Sequence, residues 1–356
     1  MKSEYLLLER NRRVAVLTIR QPETRNALSV PLLEALFAQL SKLAKDETVG
    51  AVVLRGSDGA FSSGGNLRDL HQSFVKRNPS LPKSYYQATA RLAALLENYA
   101  KPFIVLVDGH AISAGAALAL HASHAIVSEN ARFSFPETGL GIIPAAGVSY
   151  HLARLPGMLG TYLAMSGAEI VGGDAVHAGL ADTLIPGKKH DAFLEQLFDA
   201  PLEDASAFDA VRALAESFAE PPAPFTLKEV APSIAAAFSF ATTEECFALL
   251  TTQDGEWQAG TLRLMHRKSP LALKAALRTI RAARRLDKAD SLKLEFRVAM
   301  HLAALPDYRE GLRAATEEKG QPLWKHDFLE SVSAAELDAL FSDSEATRLA
   351  PQLVAA

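Results

Sequence analysis

Residues 51–66 read AVVLRGSDGAFSSGGN, and the last six are an odd way to end a core strand. Ala51-Val52-Val53-Leu54 is a continuous apolar run, as expected of a strand buried on both faces. Phe61 to Asn66 (FSSGGN) then places two serines and two glycines in six positions. Glycine-rich segments close tight corners, and they also leave backbone N–H groups bare for a ligand to dock against. A second stretch repeats the layout. Phe103–Val107, bounded by Pro102 and Asp108-Gly109, is another short buried-strand pattern, and Asp108 to Leu120 (DGHAISAGAALAL) follows it and opens a helix of small residues. Helix N-termini carry unpaired N–H groups and partial positive charge. Two such turns side by side can give two donors to one carbonyl oxygen as it gains charge, each worth about 100- to 1000-fold in rate.

Outward from these stretches, the first half alternates strand-like and helix-like segments. Tyr5–Leu8 and Val14–Ile19 predict a hairpin about Arg10-Asn11-Arg12. Ser29 predicts an N-cap for a helix from about Pro31 to Lys45, with Leu32, Leu33, Leu36, Phe37, Leu40 and Leu43 on one stripe. Further helices are expected from about Leu67 and near Tyr86–Tyr99, with short strands at Ala125–Val127 and Arg132–Phe135. Such alternation predicts βαβ units and an α/β class. The pattern changes near residue 190. APLEDASAF and AEPPAPFT read as connections, and beyond them Thr242–Leu250, Trp257–His266, Pro270–Arg284 and Ala289–Ala304 have helical period. Ser333 with Glu336 three residues later predicts a capping box. The expected division is an α/β unit, 1–195, and a mainly helical one, 196–356.

Composition sets the class. With 49% apolar and 22% charged residues the chain reads as an ordinary globular protein. A net charge of −4 gives no reason to expect nucleic acid or an anionic membrane surface. A single cysteine, Cys246, leaves no internal disulfide framework and suits a reducing compartment. No apolar stretch reaches the roughly 18 to 20 residues that span a bilayer, and MKSEYLLLERNRRVAVLTI lacks a signal-peptide core. A cytoplasmic enzyme or binding protein is the expectation.

The two small-residue turns, with Arg25-Asn26-Ala27-Leu28, Phe135-Pro136-Glu137-Thr138, Leu140-Gly141, Ser166-Gly167 and Ala178-Gly179-Leu180, resemble the enoyl-CoA hydratase/isomerase (crotonase) superfamily over about residues 3 to 190. The resemblance implies an α/β spiral of ββα units followed by a mainly helical C-terminal region. It implies that the N–H groups of Gly65 and Ala114 form an oxyanion hole for a coenzyme A thioester, and that Glu137 is the catalytic carboxylate. Arg25, Ala27, Phe61 and Ser63 would contact the CoA. HRKSPLALKAALRTI, LEFRVAMHL, DYREGLRAATEEKGQPLWK and LESVSAAELDALF resemble the tail of the 3-hydroxyisobutyryl-CoA hydrolase branch. That implies hydrolysis of a short 3-hydroxyacyl thioester, as in valine breakdown, with CoA as part of the substrate and no metal or redox cofactor. Superfamily members commonly form trimers or dimers of trimers, so a homo-oligomer is implied.

Several positions depart from the family pattern. A second hydratase glutamate is replaced by Ala117, which argues against two-carboxylate hydration. Ala145 stands where hydrolases of the branch usually have an aspartate, Gln87-Ala88-Thr89-Ala90 where they tend to have a glutamate, and Asn66 where an aspartate is common. One remaining carboxylate also suits a Δ3-Δ2 enoyl-CoA isomerase, and the alanines suit an acyl-CoA-binding protein without catalysis. The other polar residues have plainer readings. His121 and His124 have ligand-like spacing but no third ligand in view. Asp108 and His110 border the expected site and either tune it or shape its turn. Ser62 and Ser63 lack a nucleophile elbow. Cys246 reads as core packing, and Arg281 to Arg285 as a solvated helix face or, alternatively, a contact for CoA phosphates. Tyr85, Tyr86 and Trp257 are candidates for packing between core and tail. The loops Val75–Lys83 and Ala146–Tyr150 would shape the acyl pocket.

Overall fold

In a computed structural model of the chain, residues 4–78, 80–317, 320–344 and 347–348 are described. The first residues of the 1–195 unit and the last of the 196–356 unit therefore lie outside the described residues, as does Pro79 of the Val75–Lys83 loop. Nine strands form two sheets among the described residues. β1 (Leu6–Asn11) pairs antiparallel with β2 (Val14–Ile19). β3 (Ala51–Gly56), β4 (Phe103–Val107), β6 (His124–Val127) and β9 (Thr183–Leu184) extend the sheet in parallel, in the order β1-β2-β3-β4-β6-β9. β5 (His110–Ile112), β7 (Arg132–Ser134) and β8 (Ile170–Val171) make the second sheet. Isolated bridges Ser62↔Ala111 and Leu28↔Gly65 continue this layer with non-strand backbone. Each turn of the chain thus adds a long strand to one layer, a short extended piece to the other, and then a helix.

The apolar runs sort by parity, because successive side chains point to opposite faces of a strand. Val14, Val16, Ala51, Val53, Ile104, Leu106 and Ile126 face Phe193, Leu197 and Val211 of helices His190–Phe198 and Ala207–Phe218. Ala15, Leu17, Ile19, Val52, Leu54, Val105 and Val107 face the main core, which continues to Leu340. Both faces of the parallel sheet are covered, which is why its strands read as unbroken apolar runs. The sequence division at 195/196 falls inside helix His190–Phe198, and the helices beyond it cover the first sheet and pack on the core.

FSSGGN has its explanation here. The piece Ser62–Gly65 lies between segment Arg25–Leu28 and β5, so backbone approaches it from two sides. Ser63 N donates to Arg25 O at 2.9 Å, Leu28 N to Gly64 O at 2.7 Å, Ser62 N to His110 O at 2.8 Å, and Ile112 N to Ser62 O at 3.0 Å. A Cβ on Gly64 would stand 2.7 Å from Ile112 O, at φ +84°, and one on Gly115 would stand 2.8 Å from Ser62 Cβ. Neither space exists. Asn26 seals the same junction from beneath: fully buried, it donates to Ser57 O and Ala60 O and accepts from Gln21 N.

Other expectations shift at their edges. The helix expected at Tyr86–Tyr99 runs Ser80–Glu97, because Pro82 sits in its first turn, where its missing N–H costs nothing. The strand expected at Arg132–Phe135 closes at Ser134, since Pro136 has no N–H to extend the ladder and Glu137 already opens a 3₁₀ turn. Ser333 caps helix Ala334–Ala339, but Glu336 turns away to pair with Lys325 and His326, leaving half a capping box. Gly64→Ala is expected to destabilise the protein by about 1–3 kcal/mol, from positive φ plus a backbone clash. Urea denaturation checks it, and an unchanged midpoint would contradict the packing described.

Candidate active site

The helix-opening turns of the spiral stack at one place. Gly65 ends the second short piece, Ala114 begins helix Ala114–Leu120 after β5, and Glu137 begins the 3₁₀ turn Glu137–Leu140 after β7. All three line one cavity of about 30 Å³, with Leu67, Leu70, Ile142, Ile143, Ala145 and three tyrosines. Among the described residues, neither the Gly65 nor the Ala114 N–H has a hydrogen-bond acceptor. Ser113, between β5 and its helix, holds φ 55°, ψ −122°, a conformation that costs a non-glycine residue energy and so needs support from its surroundings. Its N–H is tied to Ser134 O at 3.0 Å.

Glu137 is 5% exposed, and its Oε2 has no hydrogen-bond partner among the described residues. Burial in this apolar wall pushes its carboxyl up to about 7, opposed by a hydrogen bond from Ser113 and by the positive charge of Lys268. Lys268 comes from the C-terminal half. Ser269 N donates to Thr138 O at 3.1 Å, docking the HRKSP turn onto the Glu137 turn. The Lys268 ammonium sits 3.0 Å from where a Cβ on Gly167 would stand and 3.2 Å from that on Gly139. Desolvation lowers its pKa and the Glu137 charge raises it. Among the described residues no carboxylate forms an ion pair or hydrogen bond with Lys268.

A second buried carboxylate was not singled out in the sequence. Glu295, fully buried on helix Lys288–Ala303, accepts from Gly147 N at 2.6 Å and from Ser149 N. Burial pushes it up to about 7 as well, against those hydrogen bonds. It caps helix Val148–Leu152 and so fixes the Ala145-Ala146 wall of the cavity, where Ala146 holds φ 67°. His121 Nε2 meets Ala146 O at 2.7 Å from the other side. The signal for Glu295 lay in LEFRVAMHL: a carboxylate on the same stripe as Leu292, Phe296 and Ala299, where an unpartnered charge is too costly to bury.

The remaining site expectations separate. Arg25, Ala27, Phe61 and Ser63 do not line this cavity: Arg25 is exposed, Phe61 and Ala27 are buried in the core, and Ser63 Oγ donates to Thr24 O. Their segment does shape a neighbouring cavity of about 340 Å³, lined by Leu28, Ser29, Val30 and Pro31 with Asn66, which shares Leu70 and Tyr85 with the small one. Thr89, within the Gln87–Ala90 stretch, lines the small cavity; Ala117 does not. His121 and His124 part ways, one to Ala146 O and the other beside Ser123 Oγ, and no group of three metal-ligating side chains occurs among the described residues. Asp108 accepts from Ser128 and Asn130, shaping a turn. Cys246 is buried in the core. Arg281, Arg284 and Arg285 are exposed, as expected of a solvated face, and Arg281 and Arg284 also donate to the carbonyls of Phe240 and Ala153. A recess of about 680 Å³ beside that run shares no residue with the Glu137 cavity. Tyr86 and Trp257 do bridge halves, through Tyr308 at 3.2 Å between hydroxyls and through the Tyr162 ring at 5.6 Å.

Comparison with known proteins agrees with this geometry. The profile of the enoyl-CoA hydratase/isomerase family matches residues 14–341. The chain belongs to this family. It is similar to a probable 3-hydroxyisobutyryl-CoA hydrolase of Arabidopsis thaliana, 30% identical over 96% of this chain and 92% of that one. It is also similar to the mitochondrial 3-hydroxyisobutyryl-CoA hydrolase of Danio rerio, 28% identical over 95% and 89%. Among solved structures, a carnitinyl-CoA dehydratase from Mycobacterium thermoresistibile superposes with a TM-score of 0.89, at 28% identity over 98% of this chain and 99% of that one. An enoyl-CoA hydratase from Rhodobacter sphaeroides gives 0.87, at 28% identity over 98% and 100%. The fold is crotonase-like α/β with a helical C-terminal region. No helix among the described residues is long and apolar enough to cross a membrane.

Two outcomes follow from the buried charges. Removing a nearby cation disfavours the ionised carboxylate, so Lys268→Met should move the acidic limb of the activity–pH profile above its wild-type position near 7. A partly screened contact of this kind is worth roughly half to one pH unit; Lys268→Arg should restore the limb. Glu295→Ala strands two backbone donors and should lower stability by about 2–5 kcal/mol in urea denaturation.

Proposed function

We propose that the chain is an acyl-CoA thioester hydrolase whose substrate is a short 3-hydroxyacyl-CoA such as 3-hydroxyisobutyryl-CoA. The observation that carries this reading is the meeting, in one cavity, of Gly65, Ala114 and a buried carboxylate raised to about 7. The hydrolase names of relatives that match across most of the chain support the reaction type. In this reading the CoA arm lies in the cavity beside Leu28 and Asn66, and its thioester oxygen turns toward the two free N–H groups. Glu137 takes a proton from water as the water oxygen adds to the carbonyl carbon. The C=O electron pair moves onto oxygen and is held there by the two donors. Collapse expels the CoA thiolate, which takes up the proton from Glu137.

A second reading is a 3-enoyl-CoA isomerase. It is favoured by Glu137 being the sole carboxylate lining the cavity among the described residues, since one carboxylate can carry a proton across an allyl system. CoA thiol release from 3-hydroxyisobutyryl-CoA and a short acyl-CoA panel tests the choice, with Glu137→Gln alongside. Release that falls at least about 100-fold in the variant is expected. No release from wild type, with conversion of a 3-enoyl-CoA instead, would replace the first reading with the second.

A further inference from the structure

Tyr85, on helix Ser80–Glu97, is placed where the two cavities meet: it lines both the one around Glu137 and the larger one beside Leu28. Its ring is almost wholly buried, 5% exposed, packed edge-on to Tyr86 at 5.2 Å. Its hydroxyl fills the space that a side chain at position 65 would take, 2.5 Å from where a Cβ on Gly65 would stand. Among the described residues nothing hydrogen-bonds that hydroxyl. Its neighbour differs, because Tyr86 spends its hydroxyl on Tyr308 at 3.2 Å. A buried phenol with a free O–H facing a reaction cavity calls for a partner that is not protein. Burial raises its pKa far above neutrality, so it stays protonated and is a donor throughout the working pH range.

We propose that the Tyr85 hydroxyl is a third donor to the thioester oxygen, beside the N–H groups of Gly65 and Ala114. This rests on the acyl-CoA reading above. Its place at the neck, where the CoA arm gives way to the acyl group, sets it at the thioester and away from the far end of the acyl chain. In the addition step it transfers no proton. It donates one hydrogen bond to the oxygen that receives the C=O electron pair, and that bond strengthens as the oxygen becomes anionic. Around the Tyr85 hydroxyl stand Glu137, Tyr86 and Tyr308 and, beyond Glu137, Lys268 and Glu295.

Tyr85→Phe removes the oxygen atom and leaves the ring, so folding should survive, with an unchanged urea midpoint as the control. The expected result is a kcat lowered about 10- to 1000-fold with KM within about two-fold, since the lost contact acts on the transition state. The loss should be equal for 3-hydroxyisobutyryl-CoA and isobutyryl-CoA. A loss confined to the hydroxylated substrate, a rise in KM alone, or no loss would each overturn the assignment. A second readout needs no turnover. In a Glu137→Gln background, the infrared stretch of a ¹³C=O-labelled acyl-CoA should sit at lower frequency when bound than when free, and Tyr85→Phe should return part of that shift. A wild type without thiol release but with an intact carbonyl shift would end the hydrolase reading and leave the Tyr85 assignment standing. Thiol release together with a carbonyl shift indifferent to Tyr85→Phe would do the reverse.

Discussion

Everything in the site depends on how closely three pieces of backbone approach one another. Segment Arg25–Leu28, the FSSGGN piece and β5 lie edge to edge, and the seam on the β5 side closes only because Gly64 and Gly115 have no side chain. That contact makes a second layer out of fragments too short to be strands by themselves. Each fragment then delivers its chain to the start of a helix at the same level of the molecule. A helix start is where backbone N–H groups lack partners, so the layer collects free donors from successive turns in one place.

The carboxylate is the second constraint. Ionised carboxylates are costly to bury without partners, and among those buried here are two glutamates, Glu137 and Glu295. They meet that cost differently. Glu295 accepts from two backbone N–H groups and acts as a structural cap for the turn at Gly147. Glu137 leaves one oxygen facing the cavity without a protein partner, with Ser113 and the nearby Lys268 charge as partial compensation. Satisfied polar groups rigidify, whereas unsatisfied ones mark places where something else is meant to bind. The same distinction separates Tyr86 from Tyr85.

The helical half completes this cavity and is continuous with the core. Tyr308 supplies part of its wall, Ser269 docks on Thr138, and Glu295 fixes the opposite rim. Asp307 locks the arrangement by accepting from Ser269 Oγ at 2.6 Å and from Lys325 N at 2.8 Å. A site built this way packs as one unit, with charges from both halves in mutual range.

Strands Val14–Ile19, Ala51–Leu54, Phe103–Val107 and Ala125–Val127, and the stretches that carry Gly65, Ala114 and Glu137, were legible in the sequence, because apolar runs, small-residue turns and a proline-flanked glutamate are local patterns. Local chemistry dictates them, since strand parity, helix capping and the room a glycine leaves are decided within a few residues. β5, β8 and β9, of three, two and two residues, were not legible, and the roles expected of Gly65, Ala114 and Glu137 came from the family resemblance. What stood outside that reach was decided by tertiary contact. Lys268, Glu295 and Tyr308 lie far along the chain from Glu137; tertiary packing alone puts Tyr308 in its cavity wall and brings Lys268 and Glu295 within charge range of it. The status of Tyr85 likewise depended on whether another side chain takes its hydroxyl, a question of distances in space. Sequence spacing settled which groups could start a helix, and three-dimensional packing settled which of them were left without a partner.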